Sequence, residues 1–504
     1  MYFPFMISVL LVILFFALIR RYLFWSRNGV LQYNVFYIWF QQVKDVLTQR
    51  PFTAAMEKLY NDFYKERYVG TYQWCVPRLC IKDQELIKQI LVKDFDHFTD
   101  HNHFIPVDND HIWGNSLLML RGSKWKRLRN VASSAFTGRK IKIMFDSMLL
   151  CAQQFLNYLD DHEENLLQLE MKEVFGRLTT DIFFASHFGI VCNSLKEPDN
   201  EFYLMGQLGV DFDGFWIKIR FFLITIIPKI AKIFNLTVLD ANVIQYFRKL
   251  VRNNIMHREK NKIVRPDLIN LIMDLNSENK DVSEDEAVAF AITFFGAGFD
   301  TVSTLLSFVL YELALNPQVQ RRLQVEIDSF TNMGITYDSL QNMKYLDMVI
   351  SEALRKWPST FFLERRCTKP YTIQPVNKNE TTVHLKEDDQ IWIPLFALHR
   401  DPQWFDEPSV FKPERFENGD IIKSYSYLPF GAGPRHCIAN RYAMLVTKVV
   451  TYIFLSKYTV KPIKQTAIPM RLCRNYLQLI PKNKFWLGCE KRKQKSFAND
   501  CVNF

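Results

Sequence analysis

The sequence lacks the short motifs that mark several large enzyme classes. It contains no GxGxxG after a predicted strand and no GxxxxGK[ST], which argues against dinucleotide-binding and P-loop enzymes. HExxH and GxSxG are also absent, which argues against zinc proteases and serine esterases. Internal repeats and Ser- or Gly-rich linkers are missing too, so we expect one large domain rather than several.

The cysteines are not spaced in the pairs that disulfide scaffolds or zinc sites require. The 504 residues contain nine cysteines, an odd number, and none of them forms a CxxC pair. This argues against a disulfide scaffold or a zinc ribbon and favours a reducing compartment for most of the chain. We expect most of these thiols to be small buried apolar groups.

The charge is positive without the marks of a nucleic-acid binder. Lys and Arg number 63 against 53 Asp and Glu, a formal net charge of +10. Such a surplus attracts acidic proteins, anionic lipids or nucleic acid. Because zinc-finger spacing and the aromatic-basic pattern of RNA-binding sheets are missing, nucleic acid is not an expected partner. The 43 Phe favour a wide apolar cavity or lipid contact, with a Phe-rich core as the alternative.

The first 19 residues carry no charge, and Arg20 and Arg21 follow at once. As a helix they would span about 28 Å, the thickness of a hydrocarbon core. Because a positive leading region and a cleavage site are missing, a single-pass anchor is favoured over a signal peptide, with the following domain cytosolic. The predicted organisation in chain order is an anchor at 1–21, a linker at 22–50, a catalytic domain at 51–490 and a basic tail at 491–504.

The patterns along the chain predict a mainly α protein with small β-sheets (α+β). Residues 50–360 read mostly as helices, and residues 372–393 read as short strands, for example 381–385 and 390–393.

One apolar stretch, 287–311, has Asp300 as its only charge. Its length would suit a membrane span, but its glycines, hydroxyls and lone acid favour a helix buried in a soluble core. Ser283 and Glu286 predict its start as a capping box, and Asn316-Pro317 predicts its end.

A glycine- and proline-containing loop, FGAGPRHCIA at 430–439, precedes an apolar helical pattern. This order places Cys437 near a helix N-terminus, where free N–H groups and the helix dipole favour a thiolate. Arg435 adds positive charge nearby. The arrangement suits a thiolate ligand to iron, and an ordinary buried cysteine after a turn is the alternative.

Two further sites combine charge with helical spacing. Asp300 and Thr301 lie in the apolar helix beside glycines, where a carboxylate is costly unless it has partners or a task; a core helix with a local bend is the alternative.

Glu352 and Arg355 lie three residues apart, opposite an apolar helix face. Spacing alone indicates a solvated ion pair worth a few tenths of a kcal/mol.

Taken together, these segments resemble the cytochrome P450 family, in particular microsomal, insect-type xenobiotic-metabolising members. The haem-binding signature is matched by Phe430, Gly433, Arg435 and Cys437. Ala439 and Val446 depart from it, since the family usually has Gly and Glu at these places. The family's proline-rich stretch after the anchor is also missing, because no proline occurs between Pro4 and Pro51.

The resemblance implies the P450 fold and a haem b cofactor whose iron is held by Cys437. It assigns oxygen activation to Thr301 and proton supply to Asp300, and a buried structural role to Glu352, Arg355 and, in the segment 411–416, Arg415. The residues that would contact the haem are Trp125, Arg129, Ala297, Arg365, Phe430, Arg435 and Cys437.

The implied function is a monooxygenase that inserts one oxygen atom from O2 into lipophilic molecules at the endoplasmic reticulum membrane. NADPH-cytochrome P450 reductase is the implied partner, with cytochrome b5 as a second candidate and Lys124, Lys126 and Arg127 as a candidate docking surface. A haem-thiolate isomerase or lyase acting on peroxides, and a non-catalytic haem-binding membrane protein, are the alternatives.

Apolar segments of the chain are candidates for binding lipophilic substrates and for contacting lipid. The candidate pocket residues, for which core packing is the alternative, are Phe104, Ile105, Trp113, Phe361, Phe362 and Leu363. The apolar segment 221–228 is predicted to lie in the membrane interface.

Overall fold

Helices make up most of the computed structural model, as the sequence predicts. The structure describes residues 15–17, 19–48, 50–73, 75–102, 110, 112–210, 215–226, 228–234, 236–277, 283–331, 334–378, 380–473, 479 and 481–493. Two candidate pocket residues, Phe104 and Ile105, and most of the predicted anchor lie outside these ranges.

Helices occur along nearly the whole described length of the chain. In chain order, the first ten are α1 (Phe24–Arg27), α2 (Val35–Leu47), α3 (Phe52–Asp62), α4 (Gln84–Lys88), α5 (Gly122–Ser133), α6 (Gly138–Asp160), α7 (Met171–His187), α8 (Glu201–Val210), α9 (Phe215–Ile226) and α10 (Pro228–Ile233). The others are α11 (Ala241–Asn261), α12 (Leu268–Ser277), α13 (Glu284–Leu315), α14 (Pro317–Thr331), α15 (Tyr337–Asn342), α16 (Lys344–Lys356), α17 (Leu395–Leu398), α18 (Asp420–Lys423) and α19 (Asn440–Lys457).

The strands form three small sheets. In chain order they are β1 (Tyr68–Gln73), β2 (Val76–Ile81), β3 (Leu166–Glu170), β4 (Leu363–Arg366), β5 (Tyr371–Ile373), β6 (Val383–Leu385), β7 (Gln390–Ile393), β8 (Tyr458–Lys461) and β9 (Trp486–Lys491). The sheet orders are β1-β2-β7-β4, β3-β9-β8 and β5-β6, and of these strand pairs only β2-β7 is parallel.

The predicted strand at 390–393 is confirmed as β7, and the one predicted at 381–385 is confirmed over β6. Strands β1, β2 and β3 lie within the region expected to be mostly helical and were not predicted. Distant partners explain this for two of them, since β2 pairs with β7 and β3 pairs with β9, more than 300 residues along the chain. Long-range pairing of this kind leaves little local signal in a sequence. Among the strands, β1 pairs only with its neighbour β2, and this local hairpin was missed.

Helix α13 is the apolar stretch with the lone acid, and the predictions for it are confirmed. The Glu286 N–H donates to Ser283 Oγ at 3.2 Å, and the Ser283 N–H donates to Glu286 Oε2 at 3.0 Å, which completes the capping box. Among the described residues only this helix is long and apolar enough to span a membrane. Of its most apolar stretch, 67% of the residues are buried in the protein. It packs against α7, α11, α16 and α19 as a core helix.

Candidate functional site

The loop before α19 holds Cys437 by close backbone contacts. The Cys437 N–H donates to the Phe430 carbonyl at 2.8 Å, and both Gly431 and Gly433 have φ of 70°. A Cβ atom on Gly433 would lie 1.8 Å from the carbonyl oxygen of Leu91. Only glycine can therefore occupy position 433, and the loop reaches α19 three residues after Cys437, as predicted.

The Cys437 thiol lies in a recess of the protein. Its side chain is exposed, yet desolvation by the surrounding protein raises its pKa. The Ala439 N–H and the charge of Arg129 act in the opposite direction and favour the thiolate. The thiol is thus exposed, although the protein around it opposes its ionisation.

Helix α13 opens a notch in its otherwise buried surface. Ala297 is exposed and Thr301 is half-buried, while Phe295 and Phe299 on the same stretch are buried. The Thr301 hydroxyl donates to the Ala297 carbonyl at 2.5 Å. Helix α13, which carries this notch, also packs against α19, the helix that follows the cysteine loop.

The Asp300 carboxylate has a cationic partner that the sequence did not reveal. Lys172 Nζ on α7 donates to Asp300 Oδ1 at 2.6 Å and to the Asp300 carbonyl at 2.8 Å. The same ammonium group donates to Ser303 Oγ and Thr304 Oγ1, at 2.7 Å each. This contact gives a buried carboxylate the partner that its desolvation requires.

Three predicted haem-contacting residues meet at one place. The Arg435 guanidinium stacks on the Trp125 ring at 3.8 Å and donates to the carbonyls of Thr99 at 2.8 Å and Leu120 at 2.7 Å. Arg129 Nη2 donates to the carbonyl of His436, the residue before Cys437, at 2.7 Å.

Arg129, Arg365 and Arg435 lie close enough for their positive charges to interact, and we call these three residues the cationic cluster. Burial, followed by the neighbouring charges of Arg365 and Arg129, lowers the pKa of Arg435 to about 9. Burial and then Arg365 and Arg435 also lower the pKa of His101, a residue that sequence reasoning missed because no motif marks it. Arg365 is buried, and its Nε has no hydrogen-bond partner among the described residues. An unpaired buried donor within a cationic cluster suits an anionic ligand.

Glu352 and Arg355 form a buried pair rather than a surface pair. Both side chains are 0% exposed, and Arg355 reaches the two carboxylate oxygens at 2.7 and 2.8 Å. Arg415 Nε joins Glu352 Oε1 at 3.3 Å. The interpretation from spacing alone, a solvated helical pair, is therefore wrong, because residues from outside the helix cover it.

The candidate pocket residues take different positions. Phe361 is buried, and it contacts Phe362 with ring centroids 5.2 Å apart. Leu363 lies beside the cysteine loop, since a Cβ on Gly431 would be 3.7 Å from its Cδ2. Trp113 is half-buried against the core.

A comparison with protein-family models matches residues 34–487 to the model described as cytochrome P450. The chain belongs to the cytochrome P450 family. It is similar to cytochrome P450 9e2 of Blattella germanica, with 38% identity covering 89% of this chain and 90% of the relative. It is also similar to probable cytochrome P450 9h1 of Drosophila melanogaster, with 34% identity, 96% of this chain and 98% of the relative. Probable cytochrome P450 6a13 of the same fly is 36% identical over 91% of this chain and 92% of the relative.

Membership makes this P450 an enzyme and implies a haem-thiolate monooxygenase with a haem cofactor and a redox partner. The residues present fit that cofactor. The thiol lies in a recess, and the cationic cluster holds the unpaired Arg365 Nε. In the described part of the chain, no three or more His, Cys, Asp or Glu side chains lie together in a group that could hold a bare metal ion.

Proposed function

We propose that the protein is a haem b monooxygenase that inserts one oxygen atom from O2 into lipophilic small molecules. The Cys437 loop carries this proposal, because it presents an exposed thiol that has protein around it and lies three residues before helix α19. When bound, the haem would supply the redox chemistry that activates dioxygen. The chain's own residues would hold the cofactor, exclude water and manage protons.

Cys437 would ligate the iron as a thiolate. The Ala439 N–H and Arg129 favour the negative sulfur, while burial opposes it until a metal charge is nearby. The Arg129–His436 hydrogen bond would keep the loop in register with helix α5.

Arg435, Arg129, Arg365 and Trp125 would hold the haem propionates. A guanidinium fork provides two parallel donors for a carboxylate, and the unpaired Arg365 Nε is one such donor. The Arg435 guanidinium is fixed by its stacking on Trp125 and by its bonds to the Thr99 and Leu120 carbonyls, so it would contribute mainly its positive charge.

Asp300 and Thr301 would hold and move protons for the reaction. The Thr301 hydroxyl, which donates to the Ala297 carbonyl here, would turn its donor toward a water in the notch. On release from Lys172 Nζ, its present partner, the Asp300 carboxylate would take up a proton from water and pass it toward Thr301. Ala297, the exposed residue of the notch, would lie against the macrocycle.

Electrons would come from NADPH by way of NADPH-cytochrome P450 reductase, with cytochrome b5 as a further donor. Lys126 and Arg127 are exposed and suit an acidic partner face. Lys124 is also exposed, and its Nζ is paired with Glu286 Oε1 at 2.6 Å.

Attachment to the endoplasmic reticulum membrane is supported by helix α2. Its exposed apolar side chains follow a helical stripe and are Phe36, Trp39, Phe40, Val43 and Leu47. The stripe would lie in the membrane interface. Part of the predicted interfacial segment, up to Ile226, belongs to α9.

Turnover with labelled dioxygen tests the proposal. Purified holoprotein with reductase, NADPH and a panel of lipophilic compounds should yield a product that carries one oxygen atom from O2. A matched reaction without NADPH should yield none, whereas NADPH-independent turnover of a lipid peroxide would favour the isomerase or lyase alternative.

A further inference from the structure

The carboxylate of Asp110 is buried, and backbone N–H groups donate to both of its oxygens. The residue is 0% exposed. Its Oδ1 accepts from the N–H groups of Ile112 at 3.1 Å and Trp113 at 2.7 Å, and its Oδ2 accepts from the Val238 N–H at 2.7 Å. A buried carboxylate depends on such donors, because its desolvation is otherwise costly.

The bond to Val238 joins two segments that are 128 residues apart in the chain. On one side, Asp110 precedes the short 3-10 helix Trp113–Asn115, which packs against the core helix α13. On the other side, Val238 lies between the end of α10 and the start of α11. Asp110 therefore connects the chain that follows α10 to a loop held by the core.

Helices α9 and α10, together called the cover, have an apolar inner side and an apolar outer side. On the inner side, Ile224 and Ala231 are buried in one small cluster with Val238, and the Trp113 side chain packs against this cluster. The exposed apolar side chains of the outer side are Trp216, Ile233 and, directly after α10, Phe234.

Few contacts hold the cover in place. Helices α9 and α10 pack against each other, and in the described part of the chain no other helix or strand packs extensively against either of them. Segments with few packing contacts open at a lower free energy than the core does. A single strong bond next to such a segment can therefore decide how often it opens.

The cover begins beside the notch of α13. A Cβ atom on Gly296 would lie 3.1 Å from Val210 Cγ1, so the end of α8 contacts α13 next to Ala297. Helix α9 begins five residues after Val210, at Phe215. The chain thus enters the cover from the notch and leaves it at the bond between Val238 and Asp110.

We propose that Asp110 is a latch: its bond to the Val238 N–H keeps the cover closed, and breaking that bond lets lipophilic molecules pass to and from the notch. The passage of substrate rests on the proposed function, whereas the closing of the cover does not. Because hydrogen bonds to a charged acceptor are stronger than neutral ones, the closed form prevails. Asp110 is a positioning residue, which acts through the cover and not on the substrate.

Asp110→Asn tests the latch at one atom. The Asn carbonyl oxygen can still accept from the two neighbouring N–H groups, whereas its NH2 group would meet the Val238 N–H as a second donor. Thr237→Val is the matched control. It removes a bond within the same segment, from Thr237 Oγ1 to the Leu239 carbonyl at 2.7 Å, and leaves the Asp110 carboxylate in place.

Hydrogen–deuterium exchange of the full-length holoprotein in lipid nanodiscs measures how often the cover opens. In Asp110→Asn, peptides from α9 and α10 should exchange at least about tenfold faster than in the wild type, the effect of one charged hydrogen bond, while peptides from α13 should not change. Thr237→Val should accelerate exchange of the cover by less than about threefold. Unchanged exchange in Asp110→Asn, an equal effect of both variants, or faster exchange throughout the protein overturns the latch.

Stopped-flow binding of clotrimazole, a bulky imidazole followed by its Soret shift, tests the passage of ligands. Asp110→Asn should raise the association and dissociation rate constants by similar factors and change the dissociation constant by less than about twofold, because an easier opening serves both directions. Unchanged rate constants, or a change in affinity without a change in both rates, overturns the role in ligand passage. The exchange measurement needs no haem chemistry, so the latch and the monooxygenase assignment can fail separately.

Discussion

The Leu428 N–H donates to Nε2 of His399 at 2.9 Å, so an imidazole joins the cysteine loop to the buried ion-pair cluster. On the other side, Arg355 Nη1 donates to the His399 carbonyl at 2.8 Å. The Leu428 carbonyl in turn accepts from the Gly431 N–H at 3.0 Å. Burial and the charges of Arg355 and Arg400 lower the pKa of His399 to about 3, which keeps its ring neutral and able to accept.

Replacing His399 should loosen the loop. His399→Leu leaves the Leu428 N–H buried without an acceptor, at a cost of about 1–3 kcal/mol in the free energy of unfolding. Urea unfolding of the holoprotein, followed by the Soret band, measures it. The exposed His384 gives the control, since His384→Leu should change the free energy of unfolding by less than about 0.5 kcal/mol. Equal effects of the two variants would contradict the link.

Lys172 and Asp300 should behave as a coupled pair. Lys172→Met leaves the Asp300 carboxylate without its cation and should destabilise the protein by about 1–3 kcal/mol. Adding Asp300→Asn should recover part of this loss, because the uncompensated charge is gone. Urea unfolding of the wild type, Lys172→Met, Asp300→Asn and the double variant measures the coupling energy. Strictly additive effects of the two substitutions on the free energy of unfolding would argue against coupling. Lys142→Met, which breaks an exposed pair with Asp338, is the control.

Glu364 should make stability pH-dependent. Burial raises its pKa from 4.5 to about 7 in the folded protein, against the pull of Arg78 and a hydrogen bond from Asn102. A raised folded pKa favours the folded state below pH 4.5, and this advantage is lost as pH rises to 7. Relative to Glu364→Gln, the wild type should lose about 3 kcal/mol across that interval and then stay level. A difference that does not change with pH would refute this prediction.

Gly433 should tolerate no side chain. Gly433→Ala must adopt a positive φ and place a Cβ on the Leu91 carbonyl, so we expect a loss of at least about 2 kcal/mol and poor haem incorporation. Gly138→Ala is a matched control, because a Cβ there meets nothing within 4 Å. Haem content per chain measures both variants, and comparable content would contradict the steric argument.

Local signals in the sequence predicted the parts of the site that depend on local structure. The glycines of the cysteine loop, the capping box of Ser283 and the course of α13 follow from neighbouring residues, and the structure has them as predicted. Spacing also predicted that Glu352 and Arg355 would share a helix.

Contacts between distant segments were not predictable in this way. Lys172 meets Asp300 across 128 residues, and His399 meets the loop through a backbone N–H that leaves no pattern. The burial of Glu352 depends on the segment of Arg415, 63 residues away. Such contacts follow from packing, which a single sequence encodes only through the complete fold.

The carbon monoxide difference spectrum of the reduced protein tests the central claim most directly. The wild type should show the Soret band typical of a thiolate-ligated haem, and Cys437→Ala should lose it. Cys75→Ala, a half-buried cysteine away from the loop, should keep the band. A Cys437→Ala protein that retained the thiolate-type band would contradict the assignment of Cys437 as the iron ligand.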